Sequence, residues 1–86
     1  MSVKRVQDAL RRAFVERDAA RGLYATLVWL VEEVGELASS ILEGRVESVE
    51  EEVADVVAWV FSVASMLGVD VEAALRKKYG RELGCP

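Results

Sequence analysis

Hydrophobic residues recur along this chain every three to four positions, and glycines punctuate them. Val3, Val6, Leu10, Ala13 and Phe14 follow that spacing and predict a first helix from about Val3 to Arg17. The polar stretch "RDAARG" then breaks the pattern at Gly22. A second helix is predicted from about Leu23 to Leu42, with Leu27, Leu30, Val34, Leu37 and Ile41 as its core stripe. "EGRVES" reads as a turn, with Gly44 as the helix C-cap. Ser48 reads as an N-cap, and Glu51 three residues on completes a capping box. The third helix then runs from about Val49 to Leu67, with Val49, Val53, Val56, Val60, Val63 and Leu67 on its apolar side. Gly68 ends it, and Asp70 caps a fourth helix from about Val71 to Tyr79. Residues 80–86 read as a loose tail. The pattern predicts an all-α fold: one domain over residues 1–86, a small four-helix chain built on a central antiparallel helical hairpin.

Composition adds a partner to that picture. A chain of 86 residues buries a modest share of its surface, yet 52% of this one is hydrophobic. Val57, Phe61 and Ala64 lie beyond the core stripe of the third helix, and one hairpin has no second layer to cover both faces. We therefore expect assembly into an oligomeric helical bundle, a homo-oligomer. The net charge of −4 argues against binding a nucleic-acid polymer. There is no histidine, which removes histidine-based nucleophilic catalysis and zincin-type sites, and the single Cys85 excludes a disulfide framework within one chain. The first residues do not read as a signal peptide, and no apolar run approaches the roughly 18 residues of a membrane span. We expect a cytoplasmic, soluble protein that does not engage membranes.

Acidity is concentrated. From Glu32 to Asp55 there are nine carboxylates and one cation, Arg45. Glu32, Glu33 and Glu36 crowd into "EEVGE", although like charges one turn apart repel. On a helical projection they flank the apolar stripe of the second helix, and Glu52 and Asp55 flank that of the third. Folding the two helices back about Gly44 brings equidistant positions level: Glu36 with Glu52, Glu33 with Asp55, and Trp29 with Trp59. Four carboxylates then converge, with two indoles about one turn beyond. Such a group cannot stay ionised without a counter-charge. Mg²⁺ or Mn²⁺, hard cations that take carboxylate oxygens together with substrate phosphates, answers that need. The chemistry this allows is metal-assisted attack of water on a phosphoanhydride. Alone, a glutamate run is usually a solvated helix face, as Glu50 and Glu51 are read here. The mirrored pairs are what favour a metal site. Trp29 and Trp59 read either as core or as platforms for stacking a base.

"EEVGE" followed fifteen residues later by "EVAD" resembles the paired motifs of the MazG-like nucleotide pyrophosphohydrolases, an all-α superfamily. "ERDAARG" upstream and "VEAALRKKYGR" downstream extend the resemblance over about residues 16–81. It implies hydrolysis of nucleoside triphosphates between the α and β phosphates, with Mg²⁺, to a monophosphate and pyrophosphate. It implies Glu33, Glu36, Glu52 and Asp55 as metal ligands, and Glu32 as a further acid that holds a second metal or orients the attacking water. Changing Glu32 is expected to impair turnover more than it weakens the first metal. The resemblance places a phosphate-binding lysine at Lys78 and implies dimers or tetramers, with a tetramer ahead. The family's asparagine after that lysine is absent: Arg81 and Glu82 stand there. Arg81, or Arg17 or Arg21 from the first loop, is a candidate replacement. Lys77 reads as a helix-dipole partner. Substrate-binding candidates are thus Trp59, Lys78, Trp29, Arg81 and Arg21. Two alternatives remain: phosphoribosyl-ATP pyrophosphohydrolase, whose Tyr-His pair is missing here, and a non-catalytic helical oligomerisation module. The residues do not identify the base, and nucleotide-pool housecleaning is an expectation of role only.

Overall fold

The structure, a computed structural model, describes residues 1–85. Four helices follow one another: α1 (Val3–Arg21), α2 (Leu23–Leu42), α3 (Val46–Met66) and α4 (Val71–Tyr79). Among the described residues there is no strand. The all-α expectation holds. The hairpin of α2 and α3 forms the body, α1 lies across α3, and α4 turns away from α3 by 99° to rest on the start of α1.

Each boundary has a local cause. Ser2 starts α1, its Oγ accepting from the Arg5 amide at 3.1 Å. Contrary to the expected break after Arg17, α1 continues to Arg21. Arginine, aspartate and alanine are compatible with a helix, and only Gly22, at φ +87°, stops it. Arg17 and Arg21 are therefore helical residues and not loop residues. The turn after α2 hinges on Gly44 at φ +71°, one residue past the cap at Glu43. The Gly44 amide donates to the Ile41 carbonyl at 3.2 Å and the Arg45 amide to the Ser40 carbonyl at 2.9 Å. That Schellman arrangement satisfies two orphan carbonyls and returns the chain to helix at once. Ser48 consequently lies inside the first turn of α3, its amide bonded to the Arg45 carbonyl, and the expected capping box does not form. The same motif recurs after α3, where the Val69 amide reaches the Ala64 carbonyl at 2.8 Å. Asp70 does cap α4, its Oδ1 accepting from the Ala73 amide at 3.0 Å. The tail winds into turns closed by the Cys85 amide on the Gly80 carbonyl, while the part of the expected loose tail at Pro86 lies outside the described residues.

The seam of the hairpin differs from the expected one. On α2 the inward positions are Thr26, Leu30, Glu33, Leu37 and Ser40. Leu27, Val34 and Ile41, expected in the core, are 45%, 47% and 59% exposed. On α3, Val49, Val56 and Val63 are half-buried, but Val53, Val60 and Leu67 are exposed. The apolar arc of each helix is wider than one seam, so alternate residues of the predicted stripe point two ways. Residues three apart lie about 60° from one another around the axis, and that rotation carries Leu27 out where Leu30 stays in. The buried polar residues of α2 and α3 are small: Thr26, Ser40 and Ser62. The Thr26 hydroxyl donates to the Gly22 carbonyl at 2.8 Å, so its burial leaves no donor unmet.

One side chain ties the corner together. Gln7, 6% exposed, donates through Nε2 to the Val69 carbonyl at 2.8 Å and to Ser65 Oγ at 3.1 Å, and its Oε1 accepts from the Val71 amide at 2.9 Å. It bridges α1, the end of α3 and the start of α4. Gln7→Leu is expected to leave the Val69 carbonyl and Val71 amide unpaired, at about 1–3 kcal/mol of stability. Urea unfolding followed by circular dichroism measures the loss, and an unchanged midpoint would reject the bridging role.

Candidate metal centre

The α2–α3 seam carries three acids at mid-height. One carboxylate oxygen each from Glu33, Glu52 and Asp55 lies within 4.8 Å of the others, and all three side chains are half-buried. Glu33 projects from the centre of the α2 seam. Glu52 and Asp55, three apart on α3, straddle the seam from the opposite side. Glu52 Oε2 is buried and has no hydrogen-bond partner. Burial raises the Glu33 carboxyl above its ordinary value of 4.5, and the charges of Asp55 and Glu52 raise it further. The nearby Glu52 carboxylate, which only a protonated Glu33 could donate to, and the charge of Glu36 act in the same direction.

The structure thus brings together three of the four acids expected to converge. Glu36 is exposed, rotated about 60° from Glu33 toward solvent. It is near enough to raise the Glu33 pKa but lies outside the 4.8 Å group. Glu32 is exposed on the same helix. Trp29 and Trp59 do pair one turn along: their rings stack at 6.1 Å between centroids and 12° between planes.

Above the indoles lie two arginines of α1. The Arg17 guanidinium carbon sits 4.6 Å from the Trp59 ring centroid and 4.1 Å from that of Phe14. Arg21 sits 4.8 Å from the Trp59 centroid and 5.4 Å from that of Trp29. Arg17 is fixed by Asp18, a 5% exposed carboxylate whose Oδ1 accepts from its Nε and Nη2. Asp18 was not singled out from the sequence. The spacing of Phe14, Arg17 and Arg21 at i, i+3 and i+7 was the available signal that they share a face, once α1 is carried through to Arg21.

Lys78 and Arg81 stand elsewhere. Lys78 is exposed at the end of α4, its Nζ 5.3 Å from the Tyr79 ring centroid, and Arg81 is exposed in the following turn. Among the described residues neither forms an ion pair with the acids of the seam. Two clefts among the described residues lie away from the acids of the seam. One of about 270 Å³ opens between α1 and the α3–α4 corner, around Lys4, Asp8 and Asp70. Those charges satisfy one another, with Lys4 paired to both aspartates. The unbalanced charge of the seam is therefore a better guide to chemistry than concavity.

The donor set suits a hard divalent cation: three carboxylates in close approach, one with an orphaned buried oxygen, and no nitrogen or sulfur among them. The sequence model of the MazG nucleotide pyrophosphohydrolase domain matches residues 21–81. The chain belongs to the MazG family. The matched span contains α2, α3, α4 and the acids of the seam. No curated protein matches the chain. MazG domains form a family of hydrolases that are typically metal-dependent, and the carboxylate cluster accords with that. Among the described residues no single helix is long and apolar enough to cross a membrane.

Repulsion within the seam gives a two-sided test. Glu33→Gln is expected to raise the melting temperature of metal-free protein by about 2–4 °C, as removal of ~0.5 kcal/mol of repulsion would do. The same change should abolish the stabilisation that millimolar Mg²⁺ or Mn²⁺ gives the wild type. The raised Glu33 pKa adds a pH dependence. Its folded form holds a proton that the unfolded form releases near 4.5, so metal-free stability should fall as pH rises from there through the folded value. Thermal unfolding across pH 4–8, with and without metal, checks both.

Proposed function

We propose that this chain is an Mg²⁺-dependent nucleoside triphosphate pyrophosphohydrolase, with Mn²⁺ as a substitute. It cleaves between the α and β phosphates to give a nucleoside monophosphate and pyrophosphate. The observation that carries the reading is the Glu33–Glu52–Asp55 group with its orphaned Glu52 oxygen, in a chain of the MazG family. Nucleotide-pool housecleaning in the cytoplasm is the role in keeping with it.

Glu33, Glu52 and Asp55 would hold the ion, with Glu36 as a fourth carboxylate available to it. The bound cation supplies the positive charge that neutralises and polarises the phosphoanhydride. The residues do the rest. Glu32 orients the attacking water and accepts its proton. The oxygen of that water bonds to phosphorus, the α–β bridge breaks, and pyrophosphate leaves. Trp59, with Trp29 behind it, stacks the base, which needs no matched donor or acceptor. Lys78 and Arg81 grip phosphates from an adjoining copy. Rate enhancement comes from positioning and preorganised charge.

A homo-oligomer, tetramer or dimer, is supported by what the single chain leaves uncovered. Leu27, Val31, Val34 and Ile41 form one exposed stripe on α2, and Val53, Val57, Val60 and Leu67 a parallel one on α3. The accessible surface is 6337 Å², against about 5,000 Å² for a compact monomer of this mass. The Cα radius of gyration is 14.3 Å, against about 12 Å. The excess surface is of the size that a stable interface removes.

Pyrophosphate release from a panel of canonical and modified NTPs and dNTPs with Mg²⁺ tests the activity. Asp55→Asn and Glu36→Gln are expected to lower kcat/KM by about 10²-fold or more, Asp55→Asn through lost metal affinity. Glu32→Gln is expected to lower kcat by about 10²-fold while metal affinity stays within about threefold. If no nucleotide is cleaved, the chain is a non-catalytic helical module, and if Asp55→Asn keeps full activity, the acids of the seam are not the metal site. Sedimentation equilibrium tests assembly: Val34→Glu with Val57→Glu should shift the wild-type oligomer to monomer or to unfolded chain.

A further inference from the structure

We propose that Arg21 reads the edge of the nucleobase and selects bases that present two adjacent hydrogen-bond acceptors. This deepens the reading above and rests on it. Two arginines lie on Trp59, and they are not equivalent. Arg17 spends Nε and Nη2 on Asp18 and packs on Phe14 as well. Arg21 has no ion pair among the described residues, and its Nη1 is buried without an acceptor. A desolvated donor left unpaired is costly, so a ligand that supplies the missing acceptor is favoured. The two indoles hold the guanidinium carbon at 4.8 and 5.4 Å, cation–π contacts that leave its charge without a carboxylate partner.

The aromatic corner sets the geometry of any such ligand. Trp29 remains 44% exposed, and its plane lies within 12° of that of Trp59. A base stacked on the exposed Trp29 ring would lie beside the Arg21 guanidinium, 5.4 Å from that ring's centroid, with an edge within reach of its N–H donors. Arginine offers donors only. Guanine answers with O6 and N7, the bidentate pairing arginine makes most often. Cytosine answers with O2 and N3. Adenine sets an amino donor beside each ring acceptor of its major-groove and pairing edges. Uracil and thymine set the N3 proton between their two carbonyls. These bases oppose a donor to one arm of the fork. A phosphate ligand is the competing role for Arg21, but the proposed reaction places the phosphates at the cation that the acids one turn away would hold, and Arg21 makes no ion pair with those acids.

The test uses the intrinsic tryptophan fluorescence of the full chain, titrated with GMP, CMP, AMP and UMP in metal-free buffer. GMP or CMP, or both, should bind about tenfold more tightly than AMP and UMP. GMP alone assigns the O6/N7 edge, and CMP alone the O2/N3 edge. Arg21→Lys keeps the charge and loses the fork. It should reduce the discrimination to less than about twofold and leave AMP affinity unchanged, whereas Arg17→Lys should retain the discrimination. Circular dichroism verifies that each variant is folded. Binding of all four within twofold by the wild type, no binding at all, or an equal loss for all four on Arg21→Lys would each overturn the assignment. Triphosphate hydrolysis without base preference sinks this inference alone. Base-selective monophosphate binding without hydrolysis sinks the pyrophosphohydrolase reading and leaves Arg21 as a base reader.

Discussion

The α2–α3 hairpin closes on carboxylates where a simple two-helix unit would close on leucine. Glu33 meets Glu52 and Asp55 at the middle of the seam, and the positions above and below it are threonine, serine and half-buried aliphatics. Burial and like charge both oppose ionisation there, which is why the Glu33 carboxyl is pushed up. The seam is therefore held together from outside its own middle. The Schellman turn at Gly44 fixes the ends of the two helices, and the stacked indoles of Trp29 and Trp59 clasp them one turn beyond the acids. Charge is the constraint at the centre, and three carboxylates in close approach are a donor set that suits a hard divalent cation.

That choice has consequences for the rest of the chain. Small polar seam residues bring α2 and α3 close but bury little apolar area. Phe61 is the one fully buried apolar side chain among the described residues. The valines and leucines that the sequence supplies in quantity stand on the other side of the hairpin. They run at i, i+4, i+7 spacing on both helices, the spacing of a packing seam. Polar seam and apolar outer face are thus two sides of one arrangement: the hairpin gathers its acids on the inner face and leaves its aliphatic side chains exposed on the outer one. Helix α1 belongs to the inner side, bringing arginines over the indoles and anchoring to the α3–α4 corner through Gln7.

The fold class and the acids were legible because both rest on periodicity. Equidistance from Gly44 paired Glu33 with Asp55 and Trp29 with Trp59, as found. The same rule put Glu36 level with Glu52, but a hairpin fixes height and not rotation, and Glu36 is exposed and outside the 4.8 Å group. The core stripe failed for a related reason. When apolar residues span more than one face, periodicity gives their spacing and not the face that pairs first, so Leu27 and Leu30 look alike in sequence. Ser48 shows the limit of cap signals. Its capping-box pattern is satisfied on paper, but glycine two residues before the helix start supplies a stronger stop and start. Asp70 had no such competitor, and its cap forms as read, holding its carboxyl below the usual value through the Ala73 amide, with help from Lys4.

The arginines on the indoles were least legible, because their placement depends on where α1 ends. A helix stopped at Arg17 leaves Arg21 free in a loop, suited to a general grip on phosphate. Four more residues of helix put Phe14, Arg17 and Arg21 on one face, and the crossing of α1 over the hairpin lays that face on Trp59. Burial of Asp18 then separates the two cations, locking one and leaving the other unpaired. The acids and the arginines thus solve opposite problems within one turn of each other. The seam concentrates negative charge that lacks a counter-ion, and the aromatic corner holds a cation that lacks an acceptor. They do not neutralise one another, because the indoles keep the Arg21 guanidinium against ring faces. A ligand with a metal-bound polyanion at one end and an aromatic acceptor edge at the other satisfies both at once, and a nucleotide has that build.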